Sequence, residues 1–167
     1  GIFIESNLIK YSKVSTTKDK IKIESYGVKF YTNLSESLDQ IVKETNSEKI
    51  PIVVNSVDQD YNYFDIFAKL NEKDYEKSID LQFEEVSSET SVNKNLLQTG
   101  YLVSPNPVDS EKLHVLHVSQ YLTAMDTRAN LFKKNKPSVQ MPANLVLNNL
   151  SKEIVPYLIL NLEEKTE

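Results

Sequence analysis

Alternating apolar and polar positions run through the first thirty residues and predict three antiparallel strands. Apolar runs over 1–5 and 8–14 are separated only by Ser6 and Asn7, and a two-residue polar break between such runs is typical of a tight hairpin. A third run over 20–30 follows a second polar break. Its apolar positions shift phase by one residue near Ser25, which predicts a β-bulge or bend there.

A helix and a buried strand follow this meander. Asn33 is a suitable N-cap, and Glu36 occupies the capping-box position three residues later. The apolar face of the helix consists of Leu34, Leu38, Ile41 and Val42. The run IPIVVN over 50–55 is nearly all apolar, as expected of a strand buried on both faces. This order of elements indicates an α/β protein with a mixed sheet.

The polar stretch 56–60 marks a boundary, beyond which the pattern predicts a second, smaller lobe. An aromatic-rich strand over 61–67 is followed by a long helix that Asn71 can cap. Two further strands, over 96–103 and 113–118, precede a helix that Ser119 can cap. The order strand, helix, strand, strand, helix indicates a compact α+β lobe.

The end of the chain returns to the first lobe. Pro142 is a favoured first residue for a short apolar helix, and the run over 156–162 predicts a final buried strand. We therefore predict two lobes. Residues 1–58 with 137–167 form the core lobe, and residues 59–136 form an inserted α+β lobe.

Composition narrows the classes of function. The formal net charge is −5, and Arg128 is the only arginine among the 19 basic residues, so nucleic-acid binding is disfavoured. The chain has no cysteine, which excludes disulfides, thiolate catalysis and cysteine-ligated metals. No apolar run approaches the roughly 18 residues needed to span a membrane. The first residue is Gly1 rather than Met, which predicts a fragment of a longer protein.

Few residues suggest catalytic or metal chemistry. His114 and His117 lie three residues apart in a predicted strand, so they occupy opposite faces and cannot bind one metal ion together. We predict no metal site and no catalytic residue. The aromatic strand carries Tyr61, Tyr63, Phe64 and Phe67. These residues form either a peptide-binding surface or a packed strand, in which the two phenylalanines lie in the core and the tyrosines pack at the edge.

Three segments together resemble a known family. The opening GIFIESNLIKYSKV is similar to the first hairpin of actin-like ATPases, typically GIDIGSSSIKxxxV in the bacterial branch that includes PilM and FtsA. The matching residues are Gly1, Ile2, Ile4, Ser6, Ile9, Lys10 and Val14. Two later segments also resemble that branch. The helix by which its chain returns to the core lobe is similar to SVQMPANLVLNNL. Its second phosphate hairpin is similar to LILNLEEKT.

Among these families, the sequence most resembles the N-terminal half of the PilM-type protein of type IV pilus assembly. The resemblance implies an actin-like, ribonuclease H-like half-domain with a mixed sheet and an inserted small α+β lobe. In such a fold Ser6, Lys10, Asn161 and Thr166 would occupy nucleotide-binding positions.

Five departures from the family pattern bear on nucleotide binding, one of which is Asn161 in place of the aspartate of the second hairpin. Phe3 replaces the aspartate that handles Mg²⁺, and glutamates replace the glycines of the phosphate turns at Glu5, Glu163 and Glu164. Glycine lets backbone amides approach a phosphate, whereas a carboxylate about 5 Å away repels it by about 3 kcal/mol at an effective dielectric of about 20. We therefore predict no ATP or Mg²⁺ cofactor and no enzymatic activity.

The resemblance implies a non-catalytic scaffold in the cytoplasm, peripheral to the inner face of the cell membrane. Its partner would be the PilN-like cytoplasmic tail of an inner-membrane pilus protein, bound in a groove between the lobes, and self-association is a further expectation. Tyr61, Tyr63 and Phe64 are the candidate peptide-binding residues. Two alternatives stay open: an active actin-like ATPase with diverged phosphate loops, and an unrelated α/β protein-interaction domain.

Overall fold

A computed structural model describes residues 1–18, 20–89 and 92–142. The helices are α1 (Leu34–Glu44), α2 (Glu72–Glu89) and α3 (Leu122–Asn130), with a short 3₁₀ turn at Lys94–Leu96. The strands are β1 (Ile2–Ile4), β2 (Leu8–Thr17), β3 (Lys20–Phe30), β4 (Val53–Asn55), β5 (Gln59–Phe67), β6 (Leu97–Pro105), β7 (Lys112–Tyr121) and β8 (Val139–Met141).

The chain divides into two compact units. Of the described residues, the first unit contains Gly1–Val57 together with those from Met125 to 142, and the second unit is Asp58–Ala124. The return to the first unit therefore occurs before the 136/137 boundary that the sequence pattern predicts. The physical reason is packing, because Phe132 is buried in the core of the first unit and Leu131 packs against that core.

The first unit is built on a five-stranded mixed sheet in the order β3-β2-β1-β4-β8. β1, β2 and β3 form the predicted antiparallel meander, whereas β4 pairs in parallel with both β1 and β8. The β2–β3 register shifts where Lys13 pairs with Ser25 and Val14 pairs with Ile23. Glu24 is thus the extra residue of a bulge, which confirms the irregularity predicted near Ser25.

Helix α1 covers one face of this sheet. The Asn33 side chain accepts a hydrogen bond from the backbone N–H of Glu36, as the capping pattern predicts. The helix buries Leu38, Ile41 and Val42 against apolar residues of β1, β2 and β4. These contacts make the core of the first unit, in which Leu38 and Ile9 are fully buried.

The second unit is a three-stranded antiparallel sheet in the order β5-β7-β6, with α2 packed on one face. Asn71 caps α2 by accepting a hydrogen bond from the backbone N–H of Asp74 at 3.1 Å, which confirms the predicted cap. The core of this unit is small: Ile66, Ile79 and Val115 are buried, and Phe64, Tyr75 and Leu113 pack against them.

Two details of the sequence-based prediction differ from the structure. Ser119 does not cap a helix, because β7 continues through it and pairs it with Asp60 and Thr99, and α3 begins only at Leu122. The parallel strand β8 was not predicted, since three residues are too few to show an alternating pattern. The predicted helix after Pro142 and the predicted strand over 156–162 lie outside the described residues.

Candidate functional site

The turn between β1 and β2 is the predicted phosphate hairpin. The backbone N–H of Glu5 donates to the carbonyl of Leu8 at 2.9 Å, which closes the turn around Ser6. The Tyr31 hydroxyl lies 2.7 Å from the carbonyl oxygen of Glu5 and 2.8 Å from that of Ser6. A tyrosine that follows β3 therefore holds two consecutive turn carbonyls and fixes the backbone of the hairpin tip.

Lys10, the residue predicted to face a phosphate, forms an ion pair with Glu5 within the same hairpin. The Glu5 side chain is only 10% exposed, whereas the Lys10 side chain is 53% exposed. The Lys10 ammonium also lies 5.7 Å from the centroid of the Phe3 ring. An anion approaching Lys10 would have to displace or tolerate the Glu5 carboxylate, which opposes phosphate binding.

The hairpin thus holds Ser6 and Lys10, two of the four predicted nucleotide-binding residues. Asn161 and Thr166 lie outside the described residues, as do Glu163 and Glu164.

A polar cluster that sequence reasoning missed joins the carboxyl ends of β1 and β4. The Asn55 amide clamps the backbone of Ile4, because its Oδ1 accepts from the Ile4 N–H at 2.8 Å and its Nδ2 donates to the Ile4 carbonyl at 3.1 Å. Arg128 on α3 donates to Asn55 Oδ1 at 2.8 Å and to the Asn55 carbonyl at 3.2 Å. These contacts hold the two parallel strands beside the hairpin and tie α3 to them.

Two sequence signals mark this cluster. Arg128 is the single arginine of the chain, and Asn55 is the polar residue that ends an apolar strand. Neither signal predicts that the two residues are in contact, since they lie 73 positions apart in the sequence.

Strand β5 carries the candidate peptide-binding residues and lies at one edge of the second sheet, as far as the structure describes it. Tyr61 and Tyr63 point to the same face, because they are two residues apart on a strand. Tyr63 is 76% exposed, and Tyr61 is half-buried. Phe64 points to the opposite face and packs against the buried cluster of the second unit. The structure therefore brings Tyr61 and Tyr63 together and separates Phe64 from them.

The open face of this sheet is partly aromatic and partly polar. Phe67, which the core-packing alternative placed inside, is 67% exposed. Asp65 pairs with His114 across the strands on the same open face. This surface combines exposed aromatic rings with a hydrogen-bonded polar pair.

His117 lies on the opposite face of β7 from His114, as the three-residue spacing predicts. It is 2% exposed and stacks on Phe83 of α2, with ring centroids 4.1 Å apart. Desolvation by burial lowers the pKa of His117, and Lys94 reinforces this shift while Asp80 opposes it. His117 is therefore a neutral core side chain near pH 7.

The part of the chain that the structure describes contains neither a metal-binding cluster nor a membrane-spanning helix. No group of three or more His, Asp or Glu side chains there could hold a metal ion. Among the helices of residues 1–18, 20–89 and 92–142, none is long and apolar enough to cross a membrane.

The mixed five-stranded sheet with its inserted α+β unit defines the class of the protein: the fold is α/β and actin-like. The particular likeness is to a chain of the solved "PilM-PilN type IV pilus biogenesis complex", with a TM-score of 0.69 over 90% of the present chain. The two sequences are 12% identical, and the match covers 49% of that chain, about half of its length. No protein-family model matches the sequence, and no curated protein matches it.

Proposed function

We propose that this chain belongs to a non-catalytic scaffold of a type IV pilus assembly machine, which holds the cytoplasmic tail of an inner-membrane, PilN-like partner. The observation that carries this proposal is the likeness of its fold, over 90% of the chain, to a chain of the PilM–PilN complex. Such a scaffold would work in the cytoplasm, at the inner face of the membrane, and would be held there by its partner.

The hairpin geometry supports a non-catalytic role. A phosphate-binding turn needs backbone N–H groups and a cation that point at an open position. Here the Lys10 ammonium is already paired with Glu5, and the Tyr31 hydroxyl is held by the carbonyls of Glu5 and Ser6. A carboxylate about 5 Å from a phosphate charge costs about 3 kcal/mol at an effective dielectric of about 20, which corresponds to a loss of about a hundredfold in affinity.

The exposed edge of β5 supports a binding role for the second unit. An extended peptide can add to a free sheet edge through backbone hydrogen bonds, while alternate side chains select the sequence. Tyr63 offers a large, exposed aromatic surface beside that edge, and Tyr61 lies next to it on the same face. The acidic balance of the chain, −5 at pH 7, favours encounter with a tail that carries Lys or Arg.

A titration with a synthetic peptide tests the binding role. The peptide should have the sequence of the cytoplasmic tail of an inner-membrane pilus protein from the same organism, and calorimetry gives its affinity. We expect Tyr63→Ala to weaken binding about tenfold or more, because truncating an aromatic hot-spot residue typically costs about 2 kcal/mol or more. Val108→Ala, at a loop position that is 94% exposed, is the matched control and should bind normally.

The result that rejects this proposal is absence of binding by the unaltered chain at millimolar peptide. If the Tyr63→Ala variant binds the peptide as tightly as the unaltered chain, only the assignment of the binding site to the β5 edge is rejected.

A second titration separates the scaffold from an active ATPase with diverged loops. We expect no heat of binding with MgATP at micromolar concentrations. If MgATP binds with micromolar affinity, and Lys10→Ala removes that binding, the hairpin is functional and the ATPase alternative replaces the non-catalytic role.

A further inference from the structure

An exposed apolar face runs along strands β2 and β3, which together we call the β2–β3 ribbon. Five large apolar side chains of β3 are between 59% and 80% exposed. They are Ile21, Ile23, Tyr26, Val28 and Phe30. Folded proteins rarely expose contiguous apolar patches larger than a few hundred Å² unless the patch contacts another molecule. This face therefore needs an explanation that packing within the described residues does not supply.

The bulge at Glu24 places all five side chains on one face of the ribbon. Each of them pairs with an even-numbered residue of β2, and alternate residues of a strand share a face. Without the extra residue, Ile21 and Ile23 would lie on the other face. The odd-numbered face of β2 contains Ile9, which is buried in the core that α1 covers. The apolar face is therefore on the side of the sheet away from α1.

The same ribbon is basic in an acidic chain. Residues 8–30 contain six lysines and two acidic residues, a net charge of +4, whereas the whole chain carries −5. Three of these lysines pair with glutamates. The other three, Lys18, Lys20 and Lys22, are exposed at or beside the turn that joins β2 to β3. One element of the first unit thus combines an apolar face with a local excess of positive charge.

We propose that the β2–β3 ribbon docks flat on an anionic lipid bilayer. Its apolar face would lie at the boundary between headgroups and acyl chains, as the apolar face of an amphipathic surface segment does. Lys20 and Lys22 alternate with Ile21 and Ile23, so they lie on the other face of the ribbon. A β layer is only about 10 Å thick, so their ammonium groups would stay within about one Debye length of the lipid phosphates.

Charge complementarity selects an anionic bilayer as the occupant of this face. Each lysine near such a surface strengthens attachment by about fivefold. Tyr26 is the most exposed of the five side chains, and tyrosine is enriched where proteins meet the headgroup region. The backbone groups between β2 and β3 already pair with each other, so side chains alone make the contact. A fluid bilayer fits such a face without a matching shape.

Co-sedimentation with lipid vesicles tests the proposal without any protein partner, so its outcome is separate from that of the tail-binding experiment. We expect the chain to bind vesicles of phosphatidylcholine with about 30% phosphatidylglycerol, and to bind pure phosphatidylcholine at least about tenfold more weakly. The triple variant Lys18→Gln, Lys20→Gln, Lys22→Gln should bind the anionic vesicles at least about tenfold more weakly than the unaltered chain.

A second triple variant is the matched control for charge. Lys69→Gln, Lys73→Gln and Lys77→Gln remove the same charge from the second unit, within or just before α2. Both triple variants have the same net charge, so a difference between them reports the position of the lysines. We expect the control to lose no more than about twofold in affinity, because exposed charges outside the contact are screened by salt.

A single introduced tryptophan locates the contact, because the chain has none of its own. Phe30→Trp keeps the face apolar, and its fluorescence emission should shift to shorter wavelengths when anionic vesicles are added. Phe67→Trp is the matched control, since Phe67 is 67% exposed on β5, and its emission should not shift. Phe30→Ser should weaken vesicle binding about tenfold or more, whereas Phe67→Ser should not. Circular dichroism checks that each variant is folded.

Four outcomes would overturn the proposal. One is no binding by the unaltered chain at about 1 mM anionic lipid. Another is equal binding by the two triple lysine variants. The third is an emission maximum of folded Phe30→Trp that anionic vesicles leave unchanged. The fourth is a chain that ignores vesicles but self-associates, with Phe30→Ser remaining monomeric, which would assign the apolar face to a second copy.

Discussion

Replacing Asn55 with alanine tests whether the polar cluster holds the hairpin to the rest of the first sheet. The change removes the acceptor of the Ile4 N–H at 2.8 Å, a donor to the Ile4 carbonyl at 3.1 Å and an acceptor of Arg128 at 2.8 Å. A typical hydrogen bond contributes about 1 kcal/mol net, and an unsatisfied buried group costs about 1–3 kcal/mol. We therefore expect Asn55→Ala to destabilise the chain by about 2–4 kcal/mol.

Arg128→Met is expected to cost less, about 1–2 kcal/mol. It removes the three hydrogen bonds that Arg128 donates to Ile4 and Asn55, but Ile4 and Asn55 keep their reciprocal pair of amide contacts. The methionine also retains part of the apolar packing of the arginine stem. The two substitutions share partners, so the double variant should cost less than the sum, by an interaction energy of about 0.5–3 kcal/mol.

Urea denaturation followed by circular dichroism gives these free energies, and thermal unfolding should shift by about 4–12 °C for Asn55→Ala. Amide hydrogen exchange is the sharper measurement, because the Ile4 N–H bonds to the Asn55 side chain rather than to the backbone. Its exchange should accelerate more than that of other amides in β1 and β2. Asn62→Ala makes the same chemical change on β5 and is the control. A loss below about 0.5 kcal/mol with unchanged Ile4 exchange would refute the reasoning.

Three further predictions concern single residues. Gly27→Ala should destabilise the chain by about 1–3 kcal/mol, because the new Cβ would lie 2.6 Å from the Tyr11 hydroxyl oxygen. Gly100→Ala is the control and should not destabilise the chain, because its Cβ would meet nothing within 4 Å. The midpoints of urea denaturation compare the two variants. Phe64→Ala should cost about 3 kcal/mol, because the ring packs against the buried cluster of the second unit, and a melting curve measures the loss. Burial lowers the pKa of His117, so on acidification the unfolded chain binds a proton at this residue at a higher pH than the folded chain does. The free energy of unfolding should therefore fall as the pH drops below 6.5. His117→Leu should reduce this pH dependence, as measured by urea titrations from about pH 5 to 8.

Local chemistry made several elements predictable. The Asn33 and Asn71 caps depend on one side chain and a backbone N–H three residues away, so a short sequence window contains both partners. The alternation of β3 and its phase shift near Ser25 depend on the period of a single strand. The opposite faces of His114 and His117 follow from the same period.

Features that join distant parts of the chain were not predictable in this way. No local pattern pairs Asn55 with Arg128, because their contact arises only when β4 and α3 meet in the folded unit. The end of β7 was also misjudged at Ser119, since its pairing with both neighbouring strands outweighs its preference for a helix cap.

The sequence by itself determined most of the described helices and strands and the lack of charged residues on β6, because composition and period act within a few residues. The tertiary structure alone decided that Glu5 pairs with Lys10, that Phe64 packs inward while Tyr63 stays exposed, and that β6 lies at an edge of the sheet formed by the described residues. Each of these depends on which strands pair and which face a helix covers. That choice is a property of the whole folded chain, since it minimises exposed apolar surface and unpaired polar groups over all segments at once.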